Sequence, residues 1–462
     1  MSVNSPPVYT IDLSLPPRSR YKAVTRDYAP ILHQLTSLYT ELVAHLKLPP
    51  FFFHFLGRLL LRRLASNEQT EELRGISEEC GVPMYLLVAY NVFLDLLLGC
   101  TSGGMLAKKP EQLDEEERGE GEEEVTMMHF RTLDWSMPIL RDVIVQFNYI
   151  NSLQGEVIAR TVGYVGFVGV LTGVRKGLSV SLNFRPYHNT SGLSLENARY
   201  YWDTLLVLLG RRPSITTVIR DFLLPRPIET PRVRRKLSKK RGRSARKQQD
   251  LEDEKEKLVP LHLPPYTPEA ITSLLPTLRT PVAYLIFCTP SETLLLEKDF
   301  RTANTLRSPT FLATTSHDIA LEPASPSQPP TTSSPVQPRI HAFLQASIFL
   351  QASVQDILDD SIYCKECLTL AWLAWRRRRR RRRQQERQEQ RQEDDCGAQE
   401  QSEIVGVSLS TLERWVERYP VSNATTHFAC IMDPGAGVFQ WIRKFEVGEI
   451  VEPVVMGEEE SQ

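Results

Sequence analysis

Cysteine is sparse in this chain: seven in 462 residues, at positions 80, 100, 288, 364, 367, 396 and 430. That density excludes the disulfide-stapled class of small secreted scaffolds. Cys364 and Cys367 have metal-type spacing, but no second cysteine pair and no histidine pair accompanies them, so no metal site is expected. Long apolar runs are also missing. Pro49 to Leu64 is broken by His54 and Arg58, and Leu86 to Leu98 by Asn91 and Asp95, so neither reaches the roughly 18 residues of a membrane-spanning helix. The opening Met-Ser-Val-Asn-Ser-Pro-Pro has neither the basic nor the apolar region of a secretory signal. Cytoplasm is therefore the default expectation, with a lysosomal, vacuolar or secreted location only if an upstream segment precedes this one. Net charge is nearly absent too: 55 Lys and Arg against 56 Asp and Glu give a formal −1. No overall field draws the chain to nucleic acid or acidic lipid, and no nucleic-acid partner is expected.

Charge is instead segregated. Residues 112–124 are Glu-rich, residues 232–247 Lys/Arg-rich, and Arg376 to Arg383 form an unbroken basic run. The stretch Arg234 to Arg243 has the composition of a nuclear-localisation or nucleic-acid patch, although blocks of like charge are more often solvated loops. No aromatic residue interleaves the Arg run, which argues against a stacking platform for single strands. The segments 108–124, 226–258, 322–338 and 376–402 are expected to be disordered inserts. Elsewhere 41% hydrophobic residues supply a core. Helix patterns occupy the first hundred residues, with breaks at Pro49-Pro50 and Pro83. Alternating strand patterns follow at Val157 to Val170, Leu178 to Asn183, Val282 to Phe287, Thr293 to Leu296, Phe428 to Met432 and Val438 to Ile442. They suit a largely antiparallel sheet system. The run from Phe51 to Leu56, followed by Arg58, Arg62 and Arg63, reads as a core helix with a basic solvated face, or as an amphipathic surface for transient membrane contact. His427 is expected on an inner strand rather than in a catalytic role, because it has no evident partner.

One cysteine stands out. Cys100 ends an apolar run in Gly99-Cys100-Thr101-Ser102, and His129-Phe130-Arg131-Thr132-Leu133-Asp134-Trp135 follows after the acidic insert. A free thiol has a pKa of about 8.5 and needs a base or a nearby charge to become a nucleophile. Cleavage of the Gly99–Cys100 bond would supply an α-amine with a pKa of roughly 7.7–8.0 as that base, within the same residue. Gly99, without a Cβ, suits the strained backbone such an attack demands. A turn between Arg131 and Asp134 would bring both towards the nucleophile. Arg131 would then hold the thiolate or a substrate carbonyl oxygen, and Asp134 would orient the new ammonium. The bland alternatives are a cysteine capping a buried helix and a surface ion pair.

These residues resemble the acid ceramidase and N-acylethanolamine-hydrolysing acid amidase family, most of all its fungal members. Val8 to Pro17 resembles the start of the family's small subunit, Gly99-Cys100-Thr101-Ser102 its processing site, and Arg131-Thr132-Leu133-Asp134 its Arg-x-x-Asp. Gly166 to Gly173 and Ser181-Leu182-Asn183-Phe184-Arg185 resemble its next two strands, and Ala283 to Ile286 and Leu296 to Asp299 fit its later sheet. The resemblance implies an α+β fold, the αββα sandwich of two antiparallel sheets found in N-terminal-nucleophile hydrolases. It also implies a precursor cut before Cys100 into two associated fragments, residues 1–99 as a small N-terminal subunit and 100–462 as the catalytic domain. The implied reaction is hydrolysis of an N-acylated lipid amide, ceramide first, with no cofactor. N-acylethanolamine or bile-salt type amides are alternatives, as is an idle lipid-binding homologue. The oxyanion and substrate-binding positions fall on Ser316, Asn183 and Arg185. Ser316 stands where the family has Asn, Phe184 where some members have Glu, and Ser361 to Cys364 where a charged Asp-Arg pair is expected.

Overall fold

The computed structural model describes residues 4–45, 50–93, 99–109, 124–135, 137–185, 195–225, 266–322, 354–393 and 405–449. The first element is β1 (Val8–Asp12), followed by four helices, α1 (Lys22–His45), α2 (Pro50–Leu60), α3 (Asn67–Cys80) and α4 (Met84–Phe93). Their boundaries follow local chemistry. The Ser66 hydroxyl caps α3 by accepting from the Gln69 N–H, and Gly81, at φ +73°, closes it in the left-handed conformation. Pro83 stands just before α4, where its missing N–H costs no helical bond.

Strands dominate from Gly99 onward: β2 (Gly99–Lys108), β3 (Val125–Asp134), β4 (Ile144–Ile150), β5 (Ala159–Tyr164), β6 (Thr172–Arg175) and β7 (Leu178–Phe184). After α5 (Leu195–Leu208), α6 (Ile215–Leu223) and α7 (Pro268–Leu274) come β8 (Ala283–Cys288), β9 (Thr293–Lys298), β10 (Ala303–Ser308) and β11 (Phe311–Thr314). The chain ends in α8 (Val354–Glu393), α9 (Leu409–Glu417) and the hairpin β12 (Thr426–Asp433) and β13 (Val438–Lys444). Among the described residues these strands form an eight-stranded sheet, β1-β4-β5-β6-β7-β8-β9-β10, and a five-stranded sheet, β11-β2-β3-β12-β13. All pairings are antiparallel except β1 with β4. The α+β, two-sheet architecture expected from the sequence is the one observed.

The two sheets face each other closely. A Cβ on Gly104 of β2 would stand 1.8 Å from the Thr293 hydroxyl of β9, so only glycine admits that approach. Helix α6 packs on β6 and β7, while α8 and α9 pack on the five-stranded sheet. This gives helix, sheet, sheet and helix in succession.

Two expectations change. The segment from Val157 to Val170 is not one strand: β5 stops at Tyr164, and residues 165–171 form a connection turned by Gly166 at φ +87°. The basic run Arg376–Arg383 is continuous helix within α8 rather than a disordered insert. Arg, Gln and Glu are strong helix formers, and the run extends a turn already anchored by buried Leu368 and Trp372. The first expected insert is ordered at its ends, where Lys108 closes β2 and the Lys109 N–H donates to the Glu124 carbonyl at 2.9 Å; 110–123, 226–258, 323–338 and 394–402 lie outside the described residues. No described helix is long and apolar enough to cross a membrane.

Candidate active site

Strand alternation builds the site. Along β2, Cys100 and Ser102 point between the sheets while Thr101 points outward towards α8, where its hydroxyl lies 3.1 Å from the Cys364 sulfur. Along β3, His129, Arg131 and Leu133 share the inner face, with Ser102 opposite Arg131 and Cys100 opposite Leu133 in the ladder. Across the gap, β7 presents Ser179, Ser181 and Asn183 on alternate positions.

The resulting contacts form a polar seam between the two sheets. Arg131, fully buried, donates from Nη2 to the Cys100 sulfur at 3.2 Å and from Nη1 to the Leu171 carbonyl at 3.0 Å. Its Nε has no partner among the described residues, which leaves that N–H donor unused. The Ser102 hydroxyl donates to Asn183 Oδ1 at 2.7 Å, and Asn183 Nδ2 donates to the Cys100 carbonyl at 3.1 Å. His129 bridges the Ser179 and Ser181 hydroxyls at 2.9 and 2.8 Å.

Burial sets the protonation states. It pushes the Cys100 thiol up to about 11, against the opposing pull of Arg131. Burial likewise lowers His129 to about 3, with Arg131 adding to the effect, so its ring is neutral. Asp134 is raised to about 7 by burial despite hydrogen bonds from Thr426 and Thr132. The Thr426 hydroxyl reaches Oδ1 at 2.6 Å and the Thr132 hydroxyl reaches Oδ2 at 3.4 Å.

The turn expected between Arg131 and Asp134 is absent. Ladder pairing of Leu133 with both Cys100 and Phe428 keeps β3 extended through Asp134, so the two side chains leave from opposite faces. Asp134 still stands beside the Gly99–Cys100 peptide, because its ladder partner is Gly99. The surface ion-pair alternative fails, since Arg131 is wholly buried. So does the reading of Cys100 as a helix cap, since it sits on a strand.

The other expected residues divide. Asn183 is brought to Cys100, though onto its carbonyl. Arg185 is held elsewhere, with Asp299 at 3.1 Å and Asp318 at 2.6 Å, and the Tyr284 hydroxyl donates to the same Asp318. Ser316 follows β11, and its backbone N–H donates to the Ser361 hydroxyl at 2.8 Å. Among the described residues no hydrogen bond joins its side chain to Cys100. His427 lies on β12 as expected but does have a partner, the Tyr164 hydroxyl at 2.8 Å, with Trp135 stacked on its ring. Sequence reasoning missed His129, Tyr164 and the Leu171 carbonyl. The alternating Ser179, Ser181 and Asn183 in an apolar strand were the legible signal, because a buried polar face needs a polar partner.

A thiol at the head of an inner strand thus lies buried against arginine between two largely antiparallel sheets. A family model described as the beta subunit of N-acylethanolamine-hydrolyzing acid amidase matches residues 4–64. The acid ceramidase of Mus musculus is 26% identical over 196 residues, 39% of this chain and 45% of that protein. The N-acylethanolamine-hydrolyzing acid amidase of Caenorhabditis elegans is 28% identical over 226 residues, 46% of this chain and 56% of that protein. The chain thus spans about half the length of these curated relatives. A solved structure of the Caenorhabditis elegans N-acylethanolamine-hydrolyzing acid amidase ortholog aligns over 72% of this chain and 93% of its own at 16% identity, with a TM-score of 0.36. The family model and the curated relatives support the acid ceramidase and N-acylethanolamine-hydrolysing acid amidase family for this chain.

Proposed function

We propose that this chain is an amidohydrolase that cuts the amide bond of an N-acylated lipid, with ceramide as the first candidate, through Cys100 exposed by cleavage after Gly99. The observation that carries this reading is the Arg131 guanidinium 3.2 Å from the Cys100 sulfur, one residue beyond the glycine of the expected scissile bond. In the uncut chain a thiol pushed up to about 11 is protonated at neutral pH. Release of the α-amine places a base of pKa roughly 7.7–8.0 within reach of that sulfur. Asp134, beside the new terminus, holds the ammonium form and loses its own proton as it does so.

The thiolate then attacks the amide carbonyl, and the α-ammonium gives its proton to the departing amine. Water cleaves the thioester and releases the fatty acid. The spare Nε donor of Arg131 is suited to charge developing on the carbonyl oxygen. Asn183 fixes the Cys100 backbone through its carbonyl. In this reading residues 1–99 and 100–462 remain associated as two fragments. Phe51, Phe55 and Leu59 of α2, 84%, 59% and 50% exposed, recur every four residues on one helix face and suit contact with a lipid surface.

The test is a denaturing gel with mass determination of the smaller fragment. Wild-type protein is expected to split between Gly99 and Cys100 and to release fatty acid from a short-chain ceramide. Cys100→Ala is expected to stay whole and inactive, and cleavage persisting in that variant would overturn the mechanism. An intact, inactive wild-type chain would instead favour the idle lipid-binding homologue.

A further inference from the structure

The connection 165–171 between β5 and β6 is gripped from the N-terminal helices. Asn91 of α4, buried, donates from Nδ2 to the Gly166 carbonyl at 2.8 Å and accepts the Val168 N–H on Oδ1 at 2.8 Å. A third bond, to the Leu87 carbonyl at 2.9 Å, holds the amide to its own helix. Gln69 of α3 donates to the Val168 carbonyl at 3.2 Å, and Arg220 of α6, itself bidentate on buried Glu72, donates to the same oxygen at 2.5 Å. Backbone this irregular inside a core needs such partners, because an unpaired buried peptide group costs about 1–3 kcal/mol.

Both ends of the connection reach the nucleophile's surroundings. Tyr164, just before it, bonds His427. Leu171, its last residue, receives Arg131 on its carbonyl at 3.0 Å, and Arg131 donates in turn to the Cys100 sulfur. The carbonyl also accepts from the Leu182 N–H at 3.0 Å, so Leu171 is tied to β7 on one side and to the gripped loop on the other.

We propose that Asn91 is a positioning residue for Cys100: by pinning Gly166 and Val168 it sets the connection 165–171, whose Leu171 carbonyl aims Arg131 at the Cys100 sulfur. This deepens the reading of Cys100 as the nucleophile and rests on it. It also gives the N-terminal stretch a role after cleavage, since α4 and α3 hold the loop on which the arginine depends. A fragment that merely preceded the cut would have no such hold.

The experiment measures iodoacetamide alkylation of Cys100 against pH in the full chain, followed by mass spectrometry of the peptide that carries it. Asn91→Ala is expected to move the alkylation profile to higher pH and to slow alkylation at pH 8 by about tenfold, the equivalent of one pKa unit. Ser77→Ala removes a hydrogen bond of similar length within the same helical stretch, to the Val82 carbonyl at 2.7 Å. It is expected to lower the melting temperature without moving the profile. Should Asn91→Ala fail to fold, Gln69→Ala, which takes away one of the two side-chain donors on the Val168 carbonyl, is expected to give a smaller shift of the same sign. A profile that superimposes on wild type in the folded variant, whatever its melting temperature, would overturn the role. The profile is readable whether or not the wild-type chain splits. Absence of splitting therefore counts against the proposed function, and an unmoved profile counts against Asn91.

Discussion

The two faces of the five-stranded sheet solve different problems. Outward, Met105, Ala107, Met128, Phe130, Ala429 and Ile431 lie in one apolar cluster with Leu368, Trp372, Leu412, Val416 and Phe445, the packing expected of a sheet covered by helices. Inward, the same strands carry Ser102, His129 and Arg131 beside Cys100, all buried. Each of these polar groups loses its hydration on folding and regains only part of it from the seam. An apolar filling of the same volume would serve the fold as well or better. The difference separates an apolar face that packs against helices from a polar seam that carries the proposed chemistry, on strands shared by both.

Four perturbations bear on that contrast. Phe130→Ala, on the outer face, is expected to cost about 3–5 kcal/mol of stability through cavity formation. Thermal denaturation should show the loss while the Cys100 alkylation profile stays where it was. Arg131→Met, its neighbour on the inner face, is expected to slow cleavage and hydrolysis by about 100–1000-fold, the usual cost of removing a donor from developing charge. A fragment-release time course checks this, and a rate within a factor of a few of wild type would erase the distinction between the faces.

The smallest effects are in pH dependence, and they have opposite signs. His129 and His427 are both lowered to about 3 by burial, so their contribution is present above the unfolded value near 6.5 and is lost as pH falls towards 3. Asp134, raised to about 7 by burial, binds its proton more tightly when folded. Its contribution is present below the unfolded value near 3.8 and is lost as pH rises through 7. In the uncut Cys100→Ala chain, where no α-ammonium faces the carboxylate, adding Asp134→Asn should therefore gain about 2–4 °C in melting temperature at pH 8 compared with pH 4. His129→Gln should flatten the acid limb of the stability curve. Equal shifts at both pH values would mean that Asp134 is not buried against its charge.

Much of the fold was legible because strands announce themselves locally. The alternation in Leu178 to Asn183 and in Phe428 to Met432 marked β7 and β12 to within two residues at each end. Gly166 marked a break that the apolar run around it concealed. Cys100, Arg131 and Asp134 were legible as a set, but their relative orientation was not. Leu133 pairs on both sides and keeps the strand straight, and no local signal in Arg-Thr-Leu-Asp says so. Ser316 looked equivalent to Asn183 as a site residue, yet only Asn183 touches Cys100. The separation arises because Asn183 lies on the strand facing β2, whereas the Ser316 backbone is bound by α8.

Alone, the sequence determined which residues can do chemistry: a thiol after glycine, an arginine and a carboxylate in fixed spacing, and apolar strands able to bury them. It did so because side-chain type and a period of two are local properties. Tertiary structure decided which of them meet. The approach of β7 to β2 and β3 placed Asn183 and the serines opposite Arg131. The grip of Asn91 and Gln69 on a loop 75 and 99 residues further along the chain placed the Leu171 carbonyl behind it. Contacts between segments so far apart in the chain follow from sheet packing and close approach, which no short window of residues encodes.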